Sequence, residues 1–190
     1  MSAEPTVTSR TIFRGRAVTL RVDEVRLPSG RLGHREIIEH PGAAAVVAVT
    51  DDDHVILVRQ HRKAVEGVLL EIPAGTLEPG ETPLRCAHRE LAEETGFQAR
   101  EMRPLVTFVP SPGILTEEIT IFLARGLAPV PRAIEPEEEG LGVVRVPLDQ
   151  IPAMIRGGEI RDAKSLIGLM LLVWGDALRD PAGHEPAQPR

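Results

Sequence analysis

Four carboxylates lie close together near the middle of the chain: Glu81, Glu90, Glu93 and Glu94. At about 100° per residue, Glu90, Glu93 and Glu94 share one helical face, because they stand three and four positions apart. Like charges at this spacing destabilise an isolated helix by roughly 0.2–0.5 kcal/mol per pair, and by more where water is partly excluded. Arg89 can neutralise one of them. The carboxylates that remain suit hard divalent cations, which prefer oxygen donors. Mg²⁺ takes only one or two protein carboxylates when phosphates and water complete its shell. Taken alone, the same run also describes a solvated acidic helix face.

A helix must present these groups. Thr82-Pro83 supplies its start, with Thr as N-cap and Pro in the first turn, where the missing N–H costs nothing. The helix is expected to run to about Thr95, with Gly96 as a left-handed C-terminal cap. Leu84, Ala87 and Leu91 fall on a neighbouring face and are expected to pack on a sheet. Residues 42–50 (GAAAVVAVT) form a short apolar run suited to a buried strand, and residues 55–60 its antiparallel partner across the Asp51-Asp52-Asp53 turn. Further strands are expected at residues 12–27 (a pair), 35–40, 69–72, 102–109, 118–125 and 143–146, and helices at 147–156 and 163–178. Residues 129–142 form a loop rich in Pro, Gly and Glu. The pattern is that of an α+β domain.

Composition limits the partners. The net charge of −6 argues against a nucleic-acid backbone, although divalent cations would let an acidic protein hold a polyphosphate. Aromatic content is 3% with no Tyr, so Val, Ile, Leu and Ala must fill the core. Cys86 is the only cysteine, which excludes an intrachain disulfide, points to a reducing compartment and reads as a small buried residue. No signal-length or membrane-length apolar run occurs, so a cytoplasmic protein with no membrane or nucleic-acid partner is expected. Residues 1–10 and 181–190 read as loose tails.

The stretch Gly75-x5-Glu81-x7-Arg89-Glu90-Leu91-x-Glu93-Glu94-x-Gly96-Phe97 matches GX5EX7REUXEEXGU at every defined position. It resembles the Nudix box, the signature of metal-dependent pyrophosphohydrolases. The resemblance implies an α+β Nudix fold: a mixed β-sheet core between helices (an α/β/α sandwich), here with an added N-terminal antiparallel β segment. It further implies Glu90 and Glu94 as principal metal ligands, Glu93 assisting, and the Ala74 carbonyl as another ligand. Gly75, Glu81, Arg89 and Gly96 become the structural part of the box, with Arg89 fastening Glu81 to the helix. Mg²⁺ or Mn²⁺, roughly two or three ions per site, is the implied cofactor.

Outside the box the chain resembles the ADP-ribose pyrophosphatase branch of that family. Val58-Arg59-Gln60-His61-Arg62 is similar to an R-Q-x-R element whose last arginine faces substrate phosphates, which implies a phosphate contact for Arg62. Ser111-Pro112-Gly113 followed by Glu117-Glu118 is similar to a Pro-Gly turn of that branch, which makes Gly113 and Glu118 candidates for substrate contact. Glu135-Pro136-Glu137-Glu138-Glu139-Gly140 resembles an acidic loop whose glutamate helps activate water; Glu139 falls at that place, with Glu138 and Glu93 as the other candidates. The closing segment Gly157 to Ser165 resembles a part that is structural in relatives. Residues 1–41 are expected to form a dimer-making β segment, residues 42–180 the hydrolase domain. Arg35 and Glu36 lie near positions that contact adenine in relatives, although Arg35 replaces an aromatic found in some. The implied partner is a small nucleoside diphosphate, the implied assembly a homodimer. The leading reaction is ADP-ribose and water to AMP and ribose 5-phosphate. Nucleotide-sugar hydrolysis of the GDP-mannose type is the alternative, and a non-catalytic ADP-ribose-sensing regulator is the alternative of another class.

Overall fold

The run Ala43–Val49 has no polar side chain, and every one of its residues is buried. A strand with two apolar faces needs cover on both sides, and this strand, β4, organises the domain. In the computed structural model, residues 4–132 and 140–179 are described. Ala44, Val46 and Ala48 face one apolar cluster with Cys86, Ala87 and Leu91 of helix α1 (Pro83–Thr95). Val47 and Val49 face the other, with Ile151 of α2 (Ile151–Gly157) and Leu169 of α3 (Ala163–Arg179). The result is the expected three-layer arrangement, with a sheet between helices.

The strands are β1 (Thr6–Arg14), β2 (Thr19–Arg26), β3 (Leu32–Glu39), β4, β5 (His54–Arg62), β6 (Gly67–Glu71), β7 (Ala74–Thr76), β8 (Phe97–Phe108), β9 (Ile119–Pro129) and β10 (Gly142–Pro147). Strands β1-β2-β3 make a separate antiparallel sheet. The central sheet has the order β10-β5-β4-β9-β8, with β6 added to β5 and β7 to β4. The β4–β9 pair is parallel, Ala45 facing Ile121, and the rest are antiparallel. The sheet is mixed, as expected.

Several expectations need correction. Residues 1–10 do not read as a loose tail throughout, since β1 starts at Thr6 and pairs with β2 as far as Arg14. All nine residues of β1 are exposed, so burial left no pattern in its sequence. β7 was not expected; it has only three residues and is held by pairing Ala43–Ala45 with Ala74–Thr76. β8 begins directly after the helix cap, at Phe97. α2 is preceded by a 3₁₀ turn over Leu148–Gln150, so the helix proper starts later than the sequence suggested. Leu84 is 43% exposed instead of packed; the buried face of α1 is Cys86, Ala87, Glu90, Leu91 and Glu94.

α3 crosses the sheet closely because Gly168 has no side chain. A Cβ there would come 2.8 Å from Val47 Cγ2 and 3.2 Å from Ile121 Cγ2. Both neighbours are β-branched strand residues with little rotamer freedom. Gly168→Val is therefore expected to cost roughly 1–3 kcal/mol through overpacking, read as a lower urea midpoint; an unchanged midpoint would show that the two layers can separate freely.

Candidate active site

The helix that carries the carboxylates starts and stops where its caps dictate. Thr82 Oγ1 accepts from the Arg85 N–H at 3.4 Å, Pro83 occupies the first turn, and Gly96 closes the helix at φ 73°. Between β7 and α1 the chain turns at Gly80, whose φ of 79° falls in the left-handed region. This turn sets Glu81 beside the helix. Arg89 Nε and Nη2 donate to the two Glu81 oxygens at 3.0 and 2.9 Å, and the Glu78 N–H also donates to Glu81 at 3.0 Å. These hydrogen bonds hold the Glu81 carboxyl down at about 2, and Glu81 in turn raises the Arg89 guanidinium.

Arg89 serves more than Glu81. Its Nη1 donates to Glu90 at 2.6 Å and to Glu93 at 3.1 Å, and its Nη2 to the Thr76 carbonyl at 3.2 Å. One guanidinium thus joins three carboxylates and the end of β7. Glu90 lies flat against that strand: a Cβ on Gly75 would fall 1.8 Å from Glu90 Oε1. Glycine at 75 is thus required for contact, not for backbone conformation. Glu94 sits behind, 1% exposed, with Oε2 accepting from the Ala74 N–H at 2.9 Å. Glu90 is 7% exposed. The acidic face of α1 is therefore its buried face, which rules out a merely solvated charge run.

Glu90, Glu93 and Arg89 line a cleft of about 870 Å³ together with Ala74, Gly75, Gln60, Arg62, Lys164 and Glu117. Arg16 and Ala17, at the tip of the β1–β2 hairpin, form its far rim. Arg62 stands in the cleft wall as expected, but it is not a loose surface arginine. Its Nε and Nη2 each donate at 2.8 Å to the buried Glu71, which also takes the Lys164 ammonium. Burial alone would raise the Glu71 carboxyl; Arg62 and Lys164 reverse this and bring it down to about 2. Lys164 also donates to Asp162 at 2.9 Å. Glu71 and Lys164 were not singled out from sequence. Glu71 ends an ordinary apolar strand, and Lys164 lies in a segment read as structural.

Not every expected residue is near this cleft. Arg35 is bound to Glu4 at 2.7 and 2.9 Å within the N-terminal sheet, and the neighbouring Glu36 is exposed; neither lines the cleft. Gly113 lies in an exposed turn, and Glu118 points to solvent. The adjacent Glu117 takes the place expected for Glu118: it lines the cleft and lies 3.4 Å from His40 Nδ1. An irregular segment precedes β9, so side-chain alternation could not fix which of the two glutamates faces inward. Glu138 and Glu139 lie outside the described residues. The stems of their loop are fastened to the end of α1, where Arg132 donates to the carbonyls of Glu94 at 2.7 Å and Leu141 at 2.9 Å. Cys86 is buried on the inner face of α1, and burial pushes its thiol up to about 12, so it is packing, as expected.

The NUDIX domain model matches residues 39–166, and that of the nucleoside diphosphate sugar hydrolase N-terminal domain matches residues 4–38. The chain belongs to the Nudix hydrolase family. It is 41% identical to the methanol dehydrogenase activator of Bacillus methanolicus and 40% identical to the ADP-ribose pyrophosphatase of Bacillus subtilis. Each alignment spans 177 residues, 93% of this chain and 96% of the relative. A crystal structure of an ADP compounds hydrolase superposes with a TM-score of 0.82 at 26% identity, covering 94% of this chain and 96% of that one.

Two outcomes are expected from this geometry. Gly75→Ala should displace the Glu90 carboxylate and lower hydrolytic turnover at least tenfold while circular dichroism and thermal unfolding stay near normal; unimpaired turnover would show that the contact is dispensable. The second concerns acid. Glu71 and Glu81 ionise near 2 in the folded chain against about 4.5 when unfolded. Between these values the unfolded chain binds more protons, so stability rises with pH there. The stabilisation is complete above about pH 4.5 and is lost as pH falls through about 2. Urea midpoints should thus agree at pH 7 and 5 and drop at pH 3.

Proposed function

We propose that this Nudix hydrolase cleaves ADP-ribose to AMP and ribose 5-phosphate. The observation that carries the reading is the pair of inward-facing carboxylates, Glu90 and Glu93, set across one cleft from the phosphate-matching Arg62. The near full-length similarity to an ADP-ribose pyrophosphatase supports it.

The residues at hand fit a hard divalent cation. Among the described residues no three acidic, His or Cys side chains converge to hold an ion unaided. The donors are oxygens only: Glu90, Glu93 and Glu94, with the Ala74 carbonyl beside them. This suits Mg²⁺ or Mn²⁺, which leave much of the shell to water and phosphate. When bound, roughly two or three such ions offset the diphosphate charge and acidify the attacking water. Arg62 contacts a phosphate oxygen, its planar fork suiting that geometry better than an ammonium would. A glutamate of the 135–140 segment, Glu139 ahead of Glu138, accepts the water's proton, with Glu93 of α1 as the other candidate. The water oxygen bonds to phosphorus, and the anhydride P–O bond breaks toward the departing phosphate.

Residues 1–41 act as the dimer-forming segment and residues 42–180 as the hydrolase domain; the expected tail, 181–190, lies outside the described residues. Exposed β1, with Phe13 at 59%, Ile12 at 47% and Val7 at 43%, supports a second copy as its cover. In that homodimer Arg35 and Glu36 reach the adenosine end of the partner's cleft, with Gly113 and Glu118 at its edge. Among the described residues no helix is long and apolar enough to cross a membrane, and a cytoplasmic location is part of this proposal. The match of residues 4–38 to a nucleoside diphosphate sugar hydrolase segment favours, as a second reading, nucleotide sugars of the GDP-mannose type. A binding-only ADP-ribose sensor is opposed by the complete box.

A panel of ADP-ribose, GDP-mannose and NADH with Mg²⁺ or Mn²⁺ decides between these readings. ADP-ribose should give AMP and ribose 5-phosphate, with kcat at least a hundredfold lower in Glu90→Gln and no loss of fold. Faster cleavage of GDP-mannose would move the assignment to the second reading, and no turnover of any substrate would leave the sensor.

A further inference from the structure

We infer that Glu71, fixed by Lys164 at the start of α3, is a positioning residue that aims Arg62 at the substrate diphosphate. The inference rests on the reading of Arg62 as the phosphate contact and adds to it the device that orients the guanidinium. Glu71 is 1% exposed and lies at the end of β6, behind the cleft wall. It holds Arg62 bidentately through Nε and Nη2, at 2.8 Å each. Nη1 donates no hydrogen bond among the described residues, and the side chain is part-exposed on the cleft. A bidentate pair fixes the plane of the guanidinium as well as its position. Such pre-orientation is what positioning a reactant demands, since a small misplacement erodes rate and affinity.

Lys164 is the second half of the device. Its ammonium contacts Glu71 and lies 2.9 Å from Asp162. Asp162 in turn accepts from the Ser165 N–H at 3.2 Å, and Ser165 Oγ accepts from the Ile72 N–H at 2.8 Å. The first turn of α3 is therefore tied to the β6–β7 corner by a lysine–carboxylate contact and a backbone-to-hydroxyl bond. Arg62, Lys164, Glu71 and Asp162 sum to zero charge. The group therefore adds no net attraction for an anion; what it supplies is direction. A purely structural role would require only that the ends of α3 and β6 meet; it would not require the carboxylate to grip a residue that faces the cleft.

The test is a double-mutant cycle with ADP-ribose and Mg²⁺, with thermal unfolding measured alongside. Glu71→Gln is expected to raise KM about tenfold with kcat within about threefold. The Kd of the non-hydrolysable α,β-methylene analogue should rise in parallel. In an Arg62→Ala background, Glu71→Gln should add less than twofold, because its effect passes through Arg62. Lys164→Met keeps the Arg62–Glu71 pair and removes its anchor; about a threefold rise in KM is expected, and this variant carries the test if Glu71→Gln does not fold. Unchanged KM and Kd in a folded Glu71→Gln or Lys164→Met, or a full tenfold effect persisting without Arg62, would overturn the inference. If Arg62→Ala itself leaves KM and Kd unchanged, the phosphate role of Arg62 fails and this inference fails with it; if Arg62→Ala impairs binding and Glu71→Gln does not, the inference alone fails.

Discussion

One guanidinium among crowded carboxylates, pressed against a strand with no side chain, governs the site. Arg89 bonds Glu81, Glu90 and Glu93 at once, and Glu90 fills the space a Cβ on Gly75 would need. Burying ionised carboxylates is costly unless they are paired and hydrogen-bonded. Here the pairing comes from within the motif. Glu81 orients Arg89 from the loop side, and Arg89 then faces the helix carboxylates. The Ala74 N–H takes Glu94. The charged residues of the motif form one interlocked set centred on Arg89.

The scaffold explains why such a set can be rigid. β4 is apolar on both faces and covered by α1 on one side and α3 on the other. The strand that pairs with its start, β7, carries Ala74 and Gly75. The acidic helix and the strand it leans on are thus fixed to the same buried element. The opposite cleft wall includes Gln60 and Arg62 of β5 and Lys164 in the first turn of α3, with β6 behind it. There the charges are arranged differently, with two cations around one buried acid. An acidic molecule of net charge −6 therefore holds the cations Arg62 and Lys164 of this cleft where neighbouring acids already orient them.

The box was legible because its chemistry is local. Thr82, Pro83 and Gly96 mark the helix by rules that span a few residues, and the resemblance to the Nudix box implied the pairing of Glu81 with Arg89. The apolar runs of β4 and β5 were legible because burial writes itself into residue type. β1 left no such record, being exposed along its whole length. β7 is too short for periodicity to show. Leu84 was misassigned because helical spacing alone cannot say which adjacent face meets the sheet, and the contact with β7 turned the glutamates inward instead.

Amino-acid order by itself determined the identity of the carboxylate helix, its caps and the α+β class, since each depends on neighbours within a few turns of chain or on simple apolar patterning. Tertiary structure alone decided that the acidic face is buried, that Glu117 and not Glu118 turns to the cleft, and that Glu71 and Lys164 stand behind Arg62. Those facts depend on how segments as far apart as β6 and α3 approach one another. Nothing in either segment's local sequence encodes the distance between them.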